Sequence, residues 1–148
     1  MSVSVGIGIT NACNLGCAHC YRPQDRVYHL SFAEVRTICE RLDVASFNMG
    51  TGESWLHPHF PQVVEYLAER CIKTSMASNG YSLLEMPETM LRQFHDVELS
   101  VDFATPEEQD RFRGGGNWAC VMSAIDRCHA HEVEVTLLAT LMNTNYDQ

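Results

Sequence analysis

Short apolar runs alternate along the chain with longer segments in which apolar residues recur every three to four positions. The short runs are typical of buried strands, and the longer segments are typical of amphipathic helices. The five predicted strands span residues 3–10, 46–49, 74–77, 97–102 and 133–141. Because strand and helix alternate, without two consecutive hairpin strands, the pattern predicts right-handed crossovers and a parallel sheet.

One helix start is marked by a specific pair of residues. Ser31 and Glu34 stand three positions apart, as in a capping box, where each side chain binds a free backbone N–H of the first turn. The helix that they open places an apolar face towards the core, formed by Phe32, Val35, Ile38, Cys39 and Leu42.

Composition narrows the class of protein. The chain has 148 residues, of which 45% are apolar, so we expect one globular domain over residues 1–148. Its apolar runs are far shorter than the roughly 20 residues of a membrane helix, and its first residues carry no export signal, which favours a cytoplasmic protein without a membrane partner. The net charge of −9, with a single lysine, makes nucleic acid an unlikely partner.

Three of the seven cysteines, Cys13, Cys17 and Cys20, follow the first predicted strand in the spacing C-x3-C-x2-C. This spacing lets three thiolates from one short loop bind a single inorganic centre, and an odd cysteine count favours a metal over disulfides. One alternative is a zinc site, with His19 or His29 as the fourth ligand. The other is a four-iron cluster, in which one iron would stay open to a substrate or cofactor. The remaining cysteines are predicted to be core residues: Cys39, Cys71, Cys120 and Cys128.

The segment from Cys13 to Tyr21 resembles the cluster loop of the radical S-adenosylmethionine (SAM) enzymes. Later segments match the same family in the same order. Gly50-Thr51-Gly52-Glu53 is similar to its second-strand motif, Ser78-Asn79-Gly80 to its third-strand ending, and Ser100-Val101-Asp102 with Arg113 to the fourth-strand segment of its peptide- and cofactor-maturing branch.

The resemblance implies a partial, open (β/α) barrel of about five βα units, with parallel strands and with its site at their carboxyl ends. It also implies a [4Fe-4S] cluster held by the three cysteines, and SAM bound at the open iron. Reductive cleavage of SAM would give methionine and a 5′-deoxyadenosyl radical that abstracts a substrate hydrogen. Thiolates are soft ligands suited to such a cluster.

The same resemblance assigns the SAM contacts. The turn formed by Gly50, Thr51 and Gly52 lets the backbone approach SAM closely, and Glu53 offers an acceptor for its ammonium group. Ser100 and Asp102 are assigned to the ribose hydroxyls, and Arg113 to the carboxylate. Ser78 and Asn79 are further candidates from the third-strand ending. Phe103 stands where the family commonly has glycine, and we expect it to crowd the loop after the fourth strand.

The implied partners are a peptide or small-molecule substrate and an electron donor such as flavodoxin or ferredoxin. The fourth-strand segment favours maturation of a ribosomally made peptide. A small metabolite such as a nucleoside or sugar is the alternative substrate. The family barrel usually has six strands, whereas five are predicted here. We therefore expect a core domain without its sixth strand and C-terminal domain. It is either a fragment or a shortened protein that a second chain completes and that is active only with that chain.

Overall fold

The computed structural model describes residues 1–23 and 25–146. Its elements follow the predicted alternation. The strands are β1 (Val3–Ile7), β2 (Val44–Met49), β3 (Lys73–Ser78), β4 (Asp96–Ser100) and β5 (Glu134–Leu138). The helices are α1 (Phe32–Arg41), α2 (Phe60–Glu69), α3 (Tyr81–Glu85), α4 (Glu88–Leu91), α5 (Pro106–Arg113) and α6 (Asn117–Ala130), and a 3-10 turn spans Ser54–Leu56.

The five strands form one parallel sheet in which spatial order equals chain order, β1-β2-β3-β4-β5. Each helical connection therefore joins two neighbouring strands, and all five carboxyl ends meet at the same edge of the sheet. The predicted parallel, open α/β architecture is confirmed. In parallel α/β sheets this edge is where ligands bind.

The core lies on one face of the sheet. Phe47 and Met49 of β2, Met76 of β3 and Leu99 of β4 are fully buried there against the helices. Alternate residues face the other side, which is more polar: the Asn48 side chain donates to the Glu98 carboxylate at 2.6 Å. This alternation gives the sheet one apolar face that packs against the helices and one face that is more polar.

Helix α1 begins as predicted. The Ser31 side chain accepts from the backbone N–H of Glu34, and the Glu34 carboxylate accepts from the backbone N–H of Ser31. The backbone N–H and the hydroxyl of Ser31 both donate to the Glu34 carboxylate, and they lower its pKa because they stabilise the charged form. Val35 and Cys39 are buried, whereas Leu42 at the end of the helix is exposed.

Several predictions about burial and bounds are corrected. β4 ends at Ser100 rather than at residue 102, and β5 ends at Leu138 rather than at residue 141. β1 ends at Ile7 rather than at residue 10, because Thr10 pairs in an isolated antiparallel bridge with His29. β1 is also largely exposed, since it is an edge strand of the described sheet. Cys71 is exposed, with φ of 56°, in the turn after α2. Cys39 and Cys128 are buried as predicted, and Cys120 is half-buried.

Within the described residues, no helix has both the length and the apolar character needed to cross a membrane.

Candidate active site

A cavity of about 320 Å³ opens at the carboxyl edge of the sheet. All three motif cysteines line it, together with residues that lie at the carboxyl ends of β2, β3, β4 and β5 or in the segments that follow them. Besides Cys13, Cys17 and Cys20, the lining includes His19, Tyr21, Arg22, Thr51, Gly52, Ala77, Ser78, Asn79, Ser100, Arg113, Leu138, Ala139 and Thr140. Residues distant in sequence are thus brought to one place by the topology of the sheet.

The cysteine loop is closed at its base by a buried asparagine. The Asn11 side chain accepts from the backbone N–H of Tyr28 at 2.6 Å and donates to the carbonyl of Arg26 at 2.8 Å. Inside the loop, the backbone N–H of Leu15 donates to Cys13 Sγ at 3.5 Å. The loop therefore returns on itself and holds its thiols over the ends of the strands.

Burial raises the pKa of the Cys17 thiol, and the Arg113 guanidinium acts in the opposite direction. The neighbouring thiols of Cys13 and Cys20 raise it further when they are ionised. A metal centre binds thiolates, so its positive charge would offset the cost of placing three negative sulfurs in one loop.

The donor set fits an iron–sulfur cluster. The motif thiols are free and half-buried, and in a cluster each of them binds a different iron, so they need not converge on one point. Among the described residues, no three His, Cys, Asp or Glu side chains are arranged around a single metal ion. Neither His19 nor His29 of the zinc alternative joins the motif cysteines in such a group. His29 packs edge-on against His57, and His19 stacks on Phe112.

The loop after β2 clamps the cysteine loop. Gly52 has φ of 66°, and a Cβ at this position would lie 2.4 Å from the carbonyl oxygen of Ala12. The next backbone N–H, that of Glu53, donates to the same oxygen at 2.7 Å. Only glycine allows this approach. Thr51 precedes it with φ of 70°, a strained conformation for a β-branched residue, and its hydroxyl bonds Tyr21 Oη at 2.9 Å.

Glu53 does not line the cavity. Its side chain points inward and is almost fully buried, with Oε1 accepting from Ser78 Oγ at 2.7 Å and Oε2 accepting from the Asn79 backbone N–H at 2.9 Å. Burial raises the pKa of this carboxyl group. Glu53 therefore links the loop after β2 to the end of β3 through hydrogen bonds. Of the motif residues, Thr51 and Gly52 line the cavity. Gly50 also lies outside the lining.

Asn79 joins the loop after β3 to the cysteine loop. Its Nδ2 donates to Asn14 Oδ1 at 2.8 Å and lies 3.7 Å from Cys13 Sγ, while its Oδ1 accepts from the backbone N–H of Tyr81. The side chain therefore supports the turn and faces the thiol at the same time. Ser78 lies beside it in the cavity lining.

Of the three residues in and after β4 that are assigned to SAM, two line the cavity and one does not. Ser100 and Arg113 line the cavity, but the Asp102 carboxylate is fully buried and lies outside the lining. Its Oδ2 accepts from Arg113 Nε at 2.6 Å, and its Oδ1 accepts from the backbone N–H of Thr140 at 2.9 Å. With both oxygens occupied in this way, the structure does not bring Asp102 to a position for ribose binding.

Phe103 crowds this loop as expected, and its ring forms part of an aromatic stack that reaches His19. It is buried and packs edge-on against Phe112, whose ring stacks on His19 at 4.8 Å between centroids. His19 lines the cavity, and its buried Nδ1 has no hydrogen-bond partner in the described part of the chain. An orphaned polar atom at this position suits a site built for a further group.

Sequence reasoning missed two residues that help to build the site, Gln109 and Thr140. Gln109 is fully buried, accepts from the backbone N–H groups of Asp102 and Phe103, and donates to Asn117. Thr140 lines the cavity after β5. The position of Thr140 just beyond a strand end is a signal that could have found it. Gln109 sits in a charged helical segment and gives no such signal.

The chain is similar to proteins of one known family. Residues 7–148 match the radical SAM superfamily. The mycofactocin maturase MftC of Mycobacterium ulcerans (strain Agy99) is 31% identical over 131 residues, which are 82% of this chain and 35% of that protein. The S-adenosylmethionine-dependent nucleotide dehydratase of Selenomonas ruminantium is 29% identical over 114 residues, covering 72% of this chain and 42% of that protein.

Among solved structures, native anSMEcpe with bound AdoMet and Cp18Cys peptide has a TM-score of 0.69 at 19% identity, covering 94% of this chain and 43% of that chain. This likeness concerns the fold. The chain spans about a third of the length of the maturase that it matches. The superfamily uses a [4Fe-4S] cluster and SAM, and the cysteine loop and strand-end motifs occur here in its order. The chain belongs to the radical SAM superfamily.

Proposed function

We propose that this chain holds a [4Fe-4S] cluster on Cys13, Cys17 and Cys20 and binds SAM in the adjoining cavity. One observation carries the proposal: three thiols from one closed loop share a cavity with the glycine turn after β2 and with Asn79, Ser100 and Arg113. When bound, the cluster supplies the electron that cleaves SAM to methionine and a 5′-deoxyadenosyl radical, which then abstracts a substrate hydrogen.

The chain's own residues would orient SAM. Gly52 and Thr51 expose backbone at the cavity wall, which suits an ammonium group better than the turned-in Glu53 does. Arg113 can grip a carboxylate with two parallel bonds. Ser100 is the hydroxyl-bearing residue of the β4 end that lines the cavity, and we assign it to the ribose.

For the substrate we propose a ribosomally made peptide. The similarity to a maturase over 82% of the chain supports this class, as does the fold shared with an enzyme solved with a peptide bound. The similarity to a nucleotide dehydratase favours the second candidate, a nucleotide or related small metabolite. The two candidates are separated by which compound, added with SAM, accelerates formation of 5′-deoxyadenosine.

We further propose a cytoplasmic protein with a flavodoxin or ferredoxin as electron donor, since seven free thiols suit a reducing compartment. The domain, residues 1–148, would be extended at β5, either by further chain or by a second chain. Leu137 and Leu138 of this strand are 57% and 40% exposed, and β5 pairs with β4 alone among the described strands. Such an edge readily accepts another strand.

The test of the cluster is anaerobic reconstitution with iron and sulfide analysis, followed by dithionite and SAM. We expect about four irons and four sulfides per chain, and 5′-deoxyadenosine as a product. Cys17→Ala should lose the cluster, whereas Cys71→Ala, at an exposed cysteine outside the cavity, should keep it. Bound zinc without sulfide, or full iron content in Cys17→Ala, would overturn the assignment. An intact cluster without 5′-deoxyadenosine would instead indicate a module that needs a partner chain.

A further inference from the structure

The fully buried Asp102 carboxylate lies directly behind Arg113, on the side away from the cavity. The Arg113 side chain is 9% exposed, and its Nε donates to Asp102 Oδ2 at 2.6 Å. Nη1 of the same Arg113 side chain lies 4.0 Å from Cys17 Sγ. One end of the guanidinium is thus fixed in the interior, while the other end reaches the cysteine loop.

Asp102 is itself held from three directions. Its backbone N–H donates to the buried Gln109 side chain at 2.9 Å, and its carbonyl accepts from Asn145 Nδ2 at 2.8 Å. Its second carboxylate oxygen accepts from the backbone N–H of Thr140. A carboxylate fixed in this way can orient its partner closely, because its own position has little freedom.

We propose that Asp102 is a positioning residue: it fixes the Arg113 guanidinium at the wall of the cavity so that Arg113 meets the SAM carboxylate in a preset orientation. The inference rests on the proposed function for its SAM part. Arginine side chains lose rotamer freedom when they bind, so an arginine held beforehand binds a carboxylate more tightly. Asp102 acts through Arg113 and does not touch SAM.

The role has a specific consequence for variants. Asp102→Asn offers one oxygen where the carboxylate offers two, so it cannot accept from both Arg113 and Thr140. Asp102→Ala removes both acceptor oxygens. Its effect on Arg113 therefore does not depend on which hydrogen bond the asparagine keeps in Asp102→Asn. If Asp102 acts through Arg113, Asp102→Ala should weaken SAM binding in the wild-type background and have little further effect once Arg113→Gln has been introduced.

The test has two arms, both with Asp126→Asn as a charge-matched control on the exposed side of α6. In the cluster-free protein, the NMR signal of the Arg113 Nε–H, assigned by its loss in Arg113→Gln, should be protected from solvent exchange in wild type and control. It should lose that protection in Asp102→Ala. In the reconstituted protein, equilibrium dialysis should show SAM affinity lowered about tenfold in Asp102→Ala, equivalent to about 1.4 kcal/mol.

The outcomes separate the two claims. An unchanged Arg113 signal in Asp102→Ala would overturn the positioning role. So would an Asp102 effect on SAM affinity that remains in full beside Arg113→Gln. A wild-type protein with an intact cluster that fails to bind SAM would overturn the proposed function, while the Arg113 signal would still decide whether Asp102 positions the guanidinium. Retained circular dichroism in each variant shows that folding is intact.

Discussion

The loops after β2 and β4 both contain a buried carboxylate, but different kinds of hydrogen-bond donor hold it. Each carries an acidic residue just beyond a strand end, Glu53 and Asp102, and each carboxylate is buried instead of facing the cavity. Glu53 is held by uncharged donors, a hydroxyl and a backbone N–H. Asp102 is held by a guanidinium and a backbone N–H.

The difference lies in what each carboxylate organises. Glu53 joins two backbone segments, so it shapes the turns that lie beneath the cysteine loop. Asp102 neutralises and orients a charged side chain that itself reaches the cavity. A buried acidic residue next to the cavity can therefore stabilise the site without facing it. Its hydrogen-bond partners show whether it holds backbone segments together or orients a charged side chain.

The largest expected effect comes from removing the charged partner. Asp102→Ala leaves the Arg113 guanidinium buried without its counter-ion, and loss of one member of a buried pair typically costs about 3–5 kcal/mol of the free energy of unfolding. Urea denaturation of the two proteins measures this loss. Asp126→Ala, at an exposed aspartate of α6, is the control. Equal stability of Asp102→Ala and wild type would remove the contrast between the two loops.

A smaller effect is expected in the β2 loop, where the partner is neutral. Ser78→Ala removes the hydroxyl that donates to Glu53 Oε1, and the loss of a hydrogen bond to a buried acceptor costs about 1–3 kcal/mol. The same denaturation measurement applies, with Ser123→Ala on the exposed side of α6 for comparison. A loss larger than that of Asp102→Ala would reverse the proposed order of the two loops.

The smallest effect concerns pH. Burial raises the pKa of Glu53 above its ordinary value of 4.5. Its contribution to stability is therefore fully present below about pH 4.5 and is lost as the pH rises through the pKa of the folded state. Glu53→Gln cannot titrate, so the stability of wild type relative to this variant should fall with rising pH. Denaturation of both proteins across the pH range measures the trend, and a relative gain for wild type would contradict it.

Much of the fold was predictable because periodicity reports burial. Five parallel strands and the capping box at Ser31 follow from local patterns, and the structure confirms them. The exposure of β1 was not predictable in this way, since a run of Val and Ile does not show whether a strand lies at the edge of a sheet. Cys71 was misjudged for a similar reason, because it lies just past the apolar face of α2.

The site was predictable in its location and less so in its contacts. Motif spacing and strand ends bring the three thiols, Asn79 and Arg113 to one cavity. The inward rotation of Glu53 and Asp102 depends on partners far away in sequence, Ser78 and Thr140. Sequence position shows at which edge of the sheet a side chain lies, but not whether it turns towards the cavity or away from it.

The equality of strand order and chain order has a consequence for biosynthesis. Each strand can pair with the preceding one as it leaves the ribosome, so the sheet can grow in one direction during synthesis. The cysteine loop emerges first, yet the side chains that contact its thiols, Asn79 and Arg113, emerge some 60 to 100 residues later. The surroundings of the motif thiols are therefore complete only after β4 and α5 have been translated.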